Sequence, residues 1–246
     1  MKVGRLTLAR VFWRSLFLQA AWNPRGMQNL GFAWAMAPAL DELYPDGQKR
    51  AAAAARHLEF FNSHPYAAAA ILGGAVALEE RVAEGSAKGE DVSVFKRALG
   101  PPFAALGDGF FWLALRPATA LAATMTVRYL GLWSLLVFLG LYNGAHAVAR
   151  TWLFVQGYRL GEGIVARVSE ARVPRGTGLL KGAASVLAGA MAMGAVLTAG
   201  VPGRFWHALF TALAVLAFAW LLPRLGLLRS IYLALLMGVA IGGTIL

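Results

Sequence analysis

Four groups of polar side chains interrupt otherwise apolar stretches of the sequence. They are Trp22-Asn23 with Gln28, Glu59 with Asn62-Ser63-His64, Asp108 with Trp112, and Arg116. Polar and charged groups in apolar surroundings cost free energy unless they are paired or hydrated. Several of these groups also lie next to Gly or Pro, which interrupt helices. Their concentration beside such residues indicates a binding site.

The sequence offers little for catalysis. It has no Cys and no GxxxxGK[ST], HExxH or GxSxG motif, so phosphate loops, metalloprotease helices and nucleophile elbows are excluded. His57, Glu59 and His64 have an H-x-E-x4-H spacing that fits no standard metal site. We therefore expect no enzyme active on this chain alone, no metal and no cofactor.

Composition favours a membrane protein. Hydrophobic residues make up 59% of the chain and charged residues 14%, whereas soluble proteins have about 45–50% and about 25%. The net charge is +11, and residues 109–246 carry 11 basic but only two acidic residues. Because the basic half is also the more apolar half, these cations fit loops beside a membrane better than a nucleic-acid surface.

Five runs with few or no charges are long enough to span a bilayer, which needs about 20 apolar residues. They are residues 106–127, 130–149, 182–201, 205–222 and 230–246. Basic residues concentrate in segment 150–181 and in the link 223–229. The positive-inside rule places both in the cytoplasm, which predicts a cytoplasmic N-terminus and an external C-terminus.

The first half has shorter apolar runs, at 32–40 and 66–78, which suit buried, re-entrant or interfacial helices. Residues 1–20 predict a basic amphipathic helix, either on the inner leaflet or packed against its own domain. Segment 66–105 predicts a re-entrant helical hairpin whose polar tip, with Glu79 and Glu80, is solvated. Gly100-Pro101-Pro102 is expected to break its second arm.

Three ordered phrases of the sequence resemble one protein family. QAAWNPRGMQNLGFAWAMAPAL at 19–40, RHLEFFNSHPYAAAAILGGAVALEE at 56–80 and LGPPFAALGDGFFWLALRP at 99–117 resemble subunit IID of the mannose/fructose/sorbose family of the bacterial sugar phosphotransferase system (PTS). The resemblance is close over about residues 10–165. The sequence departs from the family pattern at Pro24-Arg25-Gly26 and at residues 102–106.

This resemblance implies a membrane subunit that, with a second subunit IIC, binds and translocates a hexose or amino sugar. Subunit IIB then phosphorylates the sugar on the cytoplasmic side, and the phosphohistidines are expected on the IIA and IIB chains. The family also implies a trimer of IIC–IID pairs in the bacterial inner membrane, with lipid and sugar as further partners and no nucleic acid.

The predicted fold is an all-α integral membrane protein. It has about five transmembrane helices plus N-terminal amphipathic, re-entrant and broken helices. Residues 1–20 form the amphipathic helix and 21–127 a motif-bearing transport region that contains the hairpin. Residues 128–246 form the C-terminal transmembrane region, with its basic cytoplasmic segment at 150–181.

Several roles remain open for the candidate residues. The candidates for sugar contact are Glu59, Asn62, Ser63, His64 and Asp108; those for the pathway or the IIC interface are Trp22, Asn23, Gln28, Arg116 and Trp112. The 62–64 segment either contacts sugar or fixes a helix break before Pro65. Asp108 either contacts sugar, pairs with Arg116 or caps a helix from Gly109.

A second functional class stays open beside sugar transport. The departures around Pro24 and Pro102 motivate a regulatory or vestigial PTS membrane module without efficient transport. Sugar binding by the IIC–IID pair distinguishes the two hypotheses.

Overall fold

The computed structural model describes residues 2–171 and 173–198, with side chains as far as residue 191. In these ranges the regular secondary structure is helical, and two isolated β-bridges connect Asn23 with Met27 and Met27 with Phe61. The all-α fold is therefore confirmed. The α-helices are α1 (Arg5–Ser15), α2 (Asn29–Leu43), α3 (Gly47–His57), α4 (Ala68–Ala83), α5 (Gly89–Gly107), α6 (Arg116–Leu130), α7 (Ser134–Leu160), α8 (Ile164–Glu170) and α9 (Val173–Thr198).

Helix α4 lies at the centre of the compact unit that ends at Ala184. Every residue from Ala68 to Val76 is buried, and α4 packs against α2, α5 and α7. Small residues allow α4 and α7 to approach closely: a Cβ on Gly73 would lie 2.2 Å from the Phe154 carbonyl oxygen. Such close contacts between backbones are the usual way in which membrane helices associate.

A continuous helical run extends from Gly89 to Glu170 and is long and apolar enough to cross a membrane by length and composition. It includes a π-helix (Asp108–Leu115) between α5 and α6 and 3₁₀ turns at each end of α7. The predicted spans 106–127 and 130–149 lie in this run, and span 182–201 begins in α9. The predicted spans 205–222 and 230–246 lie outside the described residues.

The break expected at Gly100-Pro101-Pro102 is wrong, because α5 continues from Gly89 to Gly107. Both prolines lie on the exposed side of the helix, whereas Leu99 and Phe103 are buried. Packing of the buried side therefore maintains the helix through a sequence that locally disfavours it. The departure from α geometry comes later, in the π-helix.

Helices α4 and α5 pack together and are joined by a turn at residues 84–88, where Gly85 has a φ of +76°. Helix α1 packs on α2 and buries Val11 and Ser15. The face of α1 with these two residues therefore packs against its own domain, which is one of the two roles expected for this helix. The boundaries placed at residues 20 and 127, and the re-entrant path of the hairpin, remain predictions.

Candidate functional site

Two loops that carry most of the candidate residues are joined by backbone hydrogen bonds. The Gln28 N–H donates to the Phe61 carbonyl at 2.9 Å, and the Phe61 N–H donates to the Gly26 carbonyl at 3.3 Å. Asn23 and Met27 exchange both of their backbone hydrogen bonds, which closes a tight turn with Met27 at a φ of +56°. The two segments, distant in sequence, thus form one rigid layer.

Gln28 fixes the second loop through its side chain. Its amide nitrogen donates to the Ser63 carbonyl at 2.8 Å, and its amide oxygen accepts the Ser63 N–H at 3.0 Å. Gln28, Ser63 and His64 are all buried. Because Gln28 satisfies both backbone groups of Ser63, the sequence beginning at Ser63 is held away from helical geometry until α4 starts at Ala68.

The His64 ring is enclosed by aromatic side chains and by Gly107. It stacks on Phe111, with centroids 5.1 Å apart, and meets the edges of Trp112 and Tyr66 at 4.8 and 5.1 Å. A Cβ on Gly107 would lie 2.3 Å from the His64 Cβ, so only glycine fits there. The imidazole therefore has a single position.

The protonation of His64 follows from its contacts. Its Nδ1 accepts the Tyr66 N–H at 3.2 Å, so the neutral ring carries its proton on Nε2. Burial, together with the smaller effect of the positive charge of Arg150, lowers the pKa of His64 to about 4. At neutral pH, His64 is therefore an uncharged donor.

Two buried polar atoms on consecutive residues of this loop have no hydrogen-bond partner in the described chain. They are the Ser63 Oγ and the His64 Nε2. Buried polar groups are nearly always paired, so each of these atoms has a hydrogen bond left for a water molecule, an ion or a ligand. Ser63 and His64 therefore offer one hydroxyl and one N–H donor to a bound hydroxyl-rich molecule.

The π-helix places Asp108 and Trp112 beside His64. Asp108 directly follows Gly107, which touches the His64 ring, and Trp112 remains 38% exposed while its ring meets the imidazole. Single π-helical turns are rare and are common at functional sites. Trp112 therefore lies against the His64 ring and also reaches the surface, while the partly exposed Asp108 follows the glycine that packs on His64.

Two of the roles weighed for Asp108 are wrong. The helix runs unbroken through residue 108, so Asp108 caps no helix start, and the side chain makes no capping hydrogen bond. In the described part of the chain, Asp108 and Arg116 form no ion pair; Arg116 is exposed at the first position of α6. Contact with a ligand is the role left open for Asp108.

The other candidates divide between this site and its surroundings. The Asn62 side chain is exposed, and the backbone carbonyl of Asn62 lies against Gly100. Glu59 accepts a hydrogen bond from Ser93 at 3.1 Å and lies 3.5 Å from Arg97. Ser93 and Gly107 are 14 residues apart on α5, about 21 Å along the axis, so Glu59 does not join His64.

The loop that carries Trp22 and Asn23 supports the position of Gln28. Trp22 is 55% exposed. The Asn23 amide nitrogen donates to the Asn29 side chain at 3.0 Å, and the Asn23 amide oxygen accepts the Gly26 N–H at 2.8 Å. Asn23 therefore holds the turn that positions Gln28. In residues 2–171 and 173–198, no three His, Asp or Glu side chains are grouped to hold a metal ion.

A buried charge network around Glu79 was missed by the sequence reasoning. Arg56 donates to both Glu79 oxygens at 2.7 Å, His57 Nε2 lies 2.8 Å from Oε1, and the Tyr44 hydroxyl donates to Oε2 at 2.7 Å. Glu79 is 0% exposed and Glu80 is 8% exposed. The expected solvated position of both residues is therefore wrong: this carboxylate pair anchors α4 to its neighbours.

The pKa values in this network follow from burial and hydrogen bonding. Burial alone would raise the pKa of Glu79, but hydrogen bonds from Arg56 and His57 outweigh it and lower the pKa to about 2. Burial lowers the pKa of His57, against the effect of its hydrogen bond to Glu79. The network is therefore an ionised carboxylate, a guanidinium and a neutral imidazole that donates from Nε2.

Tyr66 connects the His64 site to a second missed group on α7. Its ring stacks on His146 with centroids 4.3 Å apart, and the Arg150 guanidinium lies 5.8 Å from the ring centroid. Arg150 is buried and donates to the Ser15 carbonyl. That carbonyl is at the C-terminus of α1, where unpaired carbonyls attract a cation. Arg150 thus joins α7, α1 and the loop of His64.

Comparison with known proteins identifies the family. The model described as the PTS system mannose/fructose/sorbose family IID component matches residues 2–205. The chain belongs to this family. It is 37% identical over 166 residues to the mannose-specific EIID component of Escherichia coli (strain K12), which covers 67% of this chain and 59% of the relative.

Other IID components show the same likeness. The fructose permease IID component of Bacillus subtilis (strain 168) is 33% identical over 201 residues, covering 80% of this chain and 71% of the relative. The sorbose-specific EIID component of Klebsiella pneumoniae is 33% identical over 167 residues, covering 67% and 61%. The chain spans about three-fifths of the length of the E. coli mannose relatives it matches.

Two solved structures are similar to this chain over nearly its whole length. One, described as the cryo-EM structure of the mannose transporter ManYZ with microcin E492, has a TM-score of 0.63 at 28% identity and covers 97% of this chain and 96% of that chain. Another, described as the structure of a membrane protein, has a TM-score of 0.72 at 30% identity, covering 98% and 97%. This IID chain is therefore a helical membrane component of a PTS in the inner membrane.

Proposed function

We propose that this IID chain, together with a IIC subunit, binds and translocates a hexose or amino sugar that a IIB protein phosphorylates on the cytoplasmic side. The observation that carries the proposal is the pair of buried, unpaired polar atoms on two consecutive residues, Ser63 Oγ and His64 Nε2. The relatives named for mannose, fructose and sorbose transport support a hexose. All three sugars present vicinal hydroxyls, which both donate and accept hydrogen bonds.

The chemistry of binding follows from the neutral, fixed imidazole. His64 Nε2–H donates to one sugar hydroxyl, and the Ser63 hydroxyl donates to or accepts from a neighbouring one. Asp108 accepts from a third hydroxyl, and the exposed side of Trp112 offers an apolar surface to the ring. Asn62 is the remaining candidate for contact at the edge of the site. The chain supplies recognition and a path, and phosphate chemistry belongs to the IIA and IIB partners.

The assembly and orientation are part of the proposal. We assign IIC as the membrane partner and a trimer of IIC–IID pairs as the assembly, supported by the likeness to a ManYZ complex. The cytoplasmic N-terminus and external C-terminus rest on the basic residues of segments 150–181 and 223–229. Arg116 and Trp22, both exposed, are candidates for contact with IIC.

The site is tested by substitutions of two glycines that are two residues apart but differ in their contacts. Gly107→Ala forces a methyl group into the His64 ring, whereas Cβ at Gly109 meets no atom within 4 Å. We expect Gly107→Ala to weaken binding of mannose, fructose or glucosamine to the reconstituted IIC–IID pair at least about tenfold, the loss of one good hydrogen bond. Gly109→Ala should leave affinity unchanged.

The outcomes separate the functional classes. Equal sugar affinity in the two glycine variants would contradict the site. No detectable binding of any of these sugars to the unmodified pair would favour a regulatory module. Coupling is tested by uptake: sugar uptake should stop when the phosphorylated histidine of IIB is replaced, and unchanged uptake would contradict group translocation.

A further inference from the structure

The outer face of α1 carries large apolar side chains that no part of the described chain covers. Leu6 is 67% exposed, Trp13 63% and Phe17 49%, and Trp34 of α2 lies beside them at 46%. The rings of Trp13 and Phe17 have centroids 6.4 Å apart, and those of Phe17 and Trp34 are 6.1 Å apart. Trp13, Phe17 and Trp34 form one continuous aromatic stripe on the surface, and Leu6 lies on the same face of α1 as Trp13.

Basic residues line both edges of this stripe. With about 100° of rotation per helical residue, Leu6 and Trp13 lie about 20° apart on α1, and Phe17, in the turn after α1, extends the stripe through its ring contact with Trp13. Arg10 and Arg14 follow on one flank, and Arg5 lies on the other. The opposite face of the helix is the buried one, with Val11 and Ser15 at 0% exposure.

The sequence around the stripe has no acidic residues, and three glutamates approach the first residues of the chain in space: Glu42, Glu80 and Glu84, the last beside Lys2. Residues 1–40 contain no Asp or Glu. Glu42 reaches the first turn of α1, where it accepts the Gly4 N–H at 2.8 Å. Arg14 stacks over the Trp34 ring at 4.9 Å and donates to the Trp34 carbonyl at 3.1 Å, so its charge is fixed at the edge of the stripe.

We infer that this face of α1 binds a bilayer surface with anionic headgroups. Trp and Phe side chains between flanking Lys and Arg are the composition of helices that lie in the plane of a membrane interface. The apolar stripe enters the boundary between headgroups and acyl chains, while the long basic side chains extend to phosphates at both edges. Arg5 and Arg10, both exposed, contact the anionic headgroups directly.

A lipid surface fits this face better than a protein partner. The cores of protein interfaces are depleted of charge, and here the stripe is narrow and has cations on each side. A protein partner would need acidic residues on both sides of the stripe. An anionic membrane surface presents negatively charged headgroups on both sides. This inference concerns attachment to lipid and does not rest on the sugar site.

The absence of Cys from the sequence makes a direct test possible. The full chain, reconstituted with its IIC subunit in nanodiscs, is given a single cysteine by Trp13→Cys or, as a control, Gln48→Cys on the exposed side of α3. Each cysteine carries the fluorophore NBD. Nitroxide-labelled phosphatidylglycerol or phosphatidylcholine then quenches the probe only if acyl chains touch it.

We expect quenching at position 13 and none at position 48, with phosphatidylglycerol about twofold more effective than phosphatidylcholine at equal content. Arg10→Glu should remove this preference, whereas Arg81→Glu, at an exposed site near the hairpin turn, should not. No quenching at position 13 would overturn the inference and indicate a protein partner. Equal quenching by both lipids would overturn the role of the anionic headgroups.

Discussion

The side-chain amide of Gln28 bonds to both backbone groups of Ser63, donating to its carbonyl at 2.8 Å and accepting from its N–H at 3.0 Å. The Gln28 amide pairs with the Ser63 backbone as a neighbouring β-strand would. These two hydrogen bonds replace those that a helix would have given Ser63. The segment that carries Ser63 and His64 therefore remains non-helical, with Ser63 Oγ and His64 Nε2 unpaired.

Replacement of Gln28 tests this relationship. Gln28→Ala leaves a buried N–H and a buried carbonyl without partners, and we expect the free energy of unfolding to fall by about 2–4 kcal/mol. Thermal unfolding of the purified chain in detergent measures the change. Gln19→Ala, at an exposed position in the turn after α1, is the matched control and should change stability little. A similar loss in both variants would contradict the role given to the amide.

The Glu79 network predicts that Glu79→Gln and Glu80→Gln lower the free energy of unfolding by different amounts. Glu79→Gln removes the charge that balances Arg56 in a fully buried site, and we expect a loss of about 3–5 kcal/mol. Glu80→Gln keeps an oxygen that can still accept from the Val3 N–H and the Tyr158 hydroxyl. Its loss should be nearer to about 1 kcal/mol. Chemical denaturation of both variants measures the two changes in the free energy of unfolding. Equal losses would contradict the role of Glu79 as the charge that balances Arg56.

Acid stability follows from the same network. The pKa of His57 is lowered in the folded chain, so the unfolded chain takes up a proton as the pH falls through its ordinary value, and folding stability decreases. The pKa of Glu79 is lowered to about 2, so its stabilising contribution is complete above its ordinary value of 4.5 and is lost between there and about pH 2. Both effects destabilise the fold in acid.

We therefore expect the melting temperature to fall from about pH 6.5 downwards, with each such histidine contributing up to about 1.4 kcal/mol per pH unit. His57→Gln keeps an N–H donor for Glu79 but does not titrate, so its stability should fall less steeply between pH 6.5 and 5. Melting curves over this range compare the two chains. Parallel curves would show that His57 is not held neutral.

The α4–α7 contact predicts opposite outcomes for two glycines of the same helix. A Cβ at Gly157 would lie 2.1 Å from the Ala70 carbonyl oxygen, whereas Gly144 has no atom within 4 Å of that position. Gly157→Ala should destabilise the chain by at least about 2 kcal/mol. Gly144→Ala should be neutral or stabilise by about 0.5–1 kcal/mol, because alanine favours a helix. Thermal unfolding of both variants in detergent provides the test.

Local sequence patterns predicted an all-α fold and selected Ser63 and His64 as candidates for the site. The apolar run 66–78 predicted a helix, because Ala and Leu at helical spacing bury well, and it became α4. Ser63 and His64 were predicted because polar residues before a proline in an apolar context are conspicuous. The role of Gln28 could not be predicted, since its partner lies 35 residues away and no local pattern encodes that pairing.

Tertiary packing overrides the local sequence pattern in two places. Gly100-Pro101-Pro102 predicted a break, but burial of Leu99 and Phe103 keeps α5 intact. Glu79 was placed at a solvated tip because the sequence after it is polar. A signal was available: Glu79 is three and four residues after Val76 and Ala75, on the face that the apolar run buries. A carboxylate on a buried face requires a cation, and Arg56 supplies it.

The central claim is that Ser63 and His64 contact the transported sugar. A structure of the IIC–IID complex with bound mannose or fructose measures this directly, as the distance from His64 Nε2 to the nearest sugar oxygen. We expect about 2.7–3.2 Å, the range of an N–H···O hydrogen bond, with Ser63 Oγ in contact with a neighbouring hydroxyl. A bound sugar with no atom in hydrogen-bond reach of Ser63 or His64 would contradict the claim.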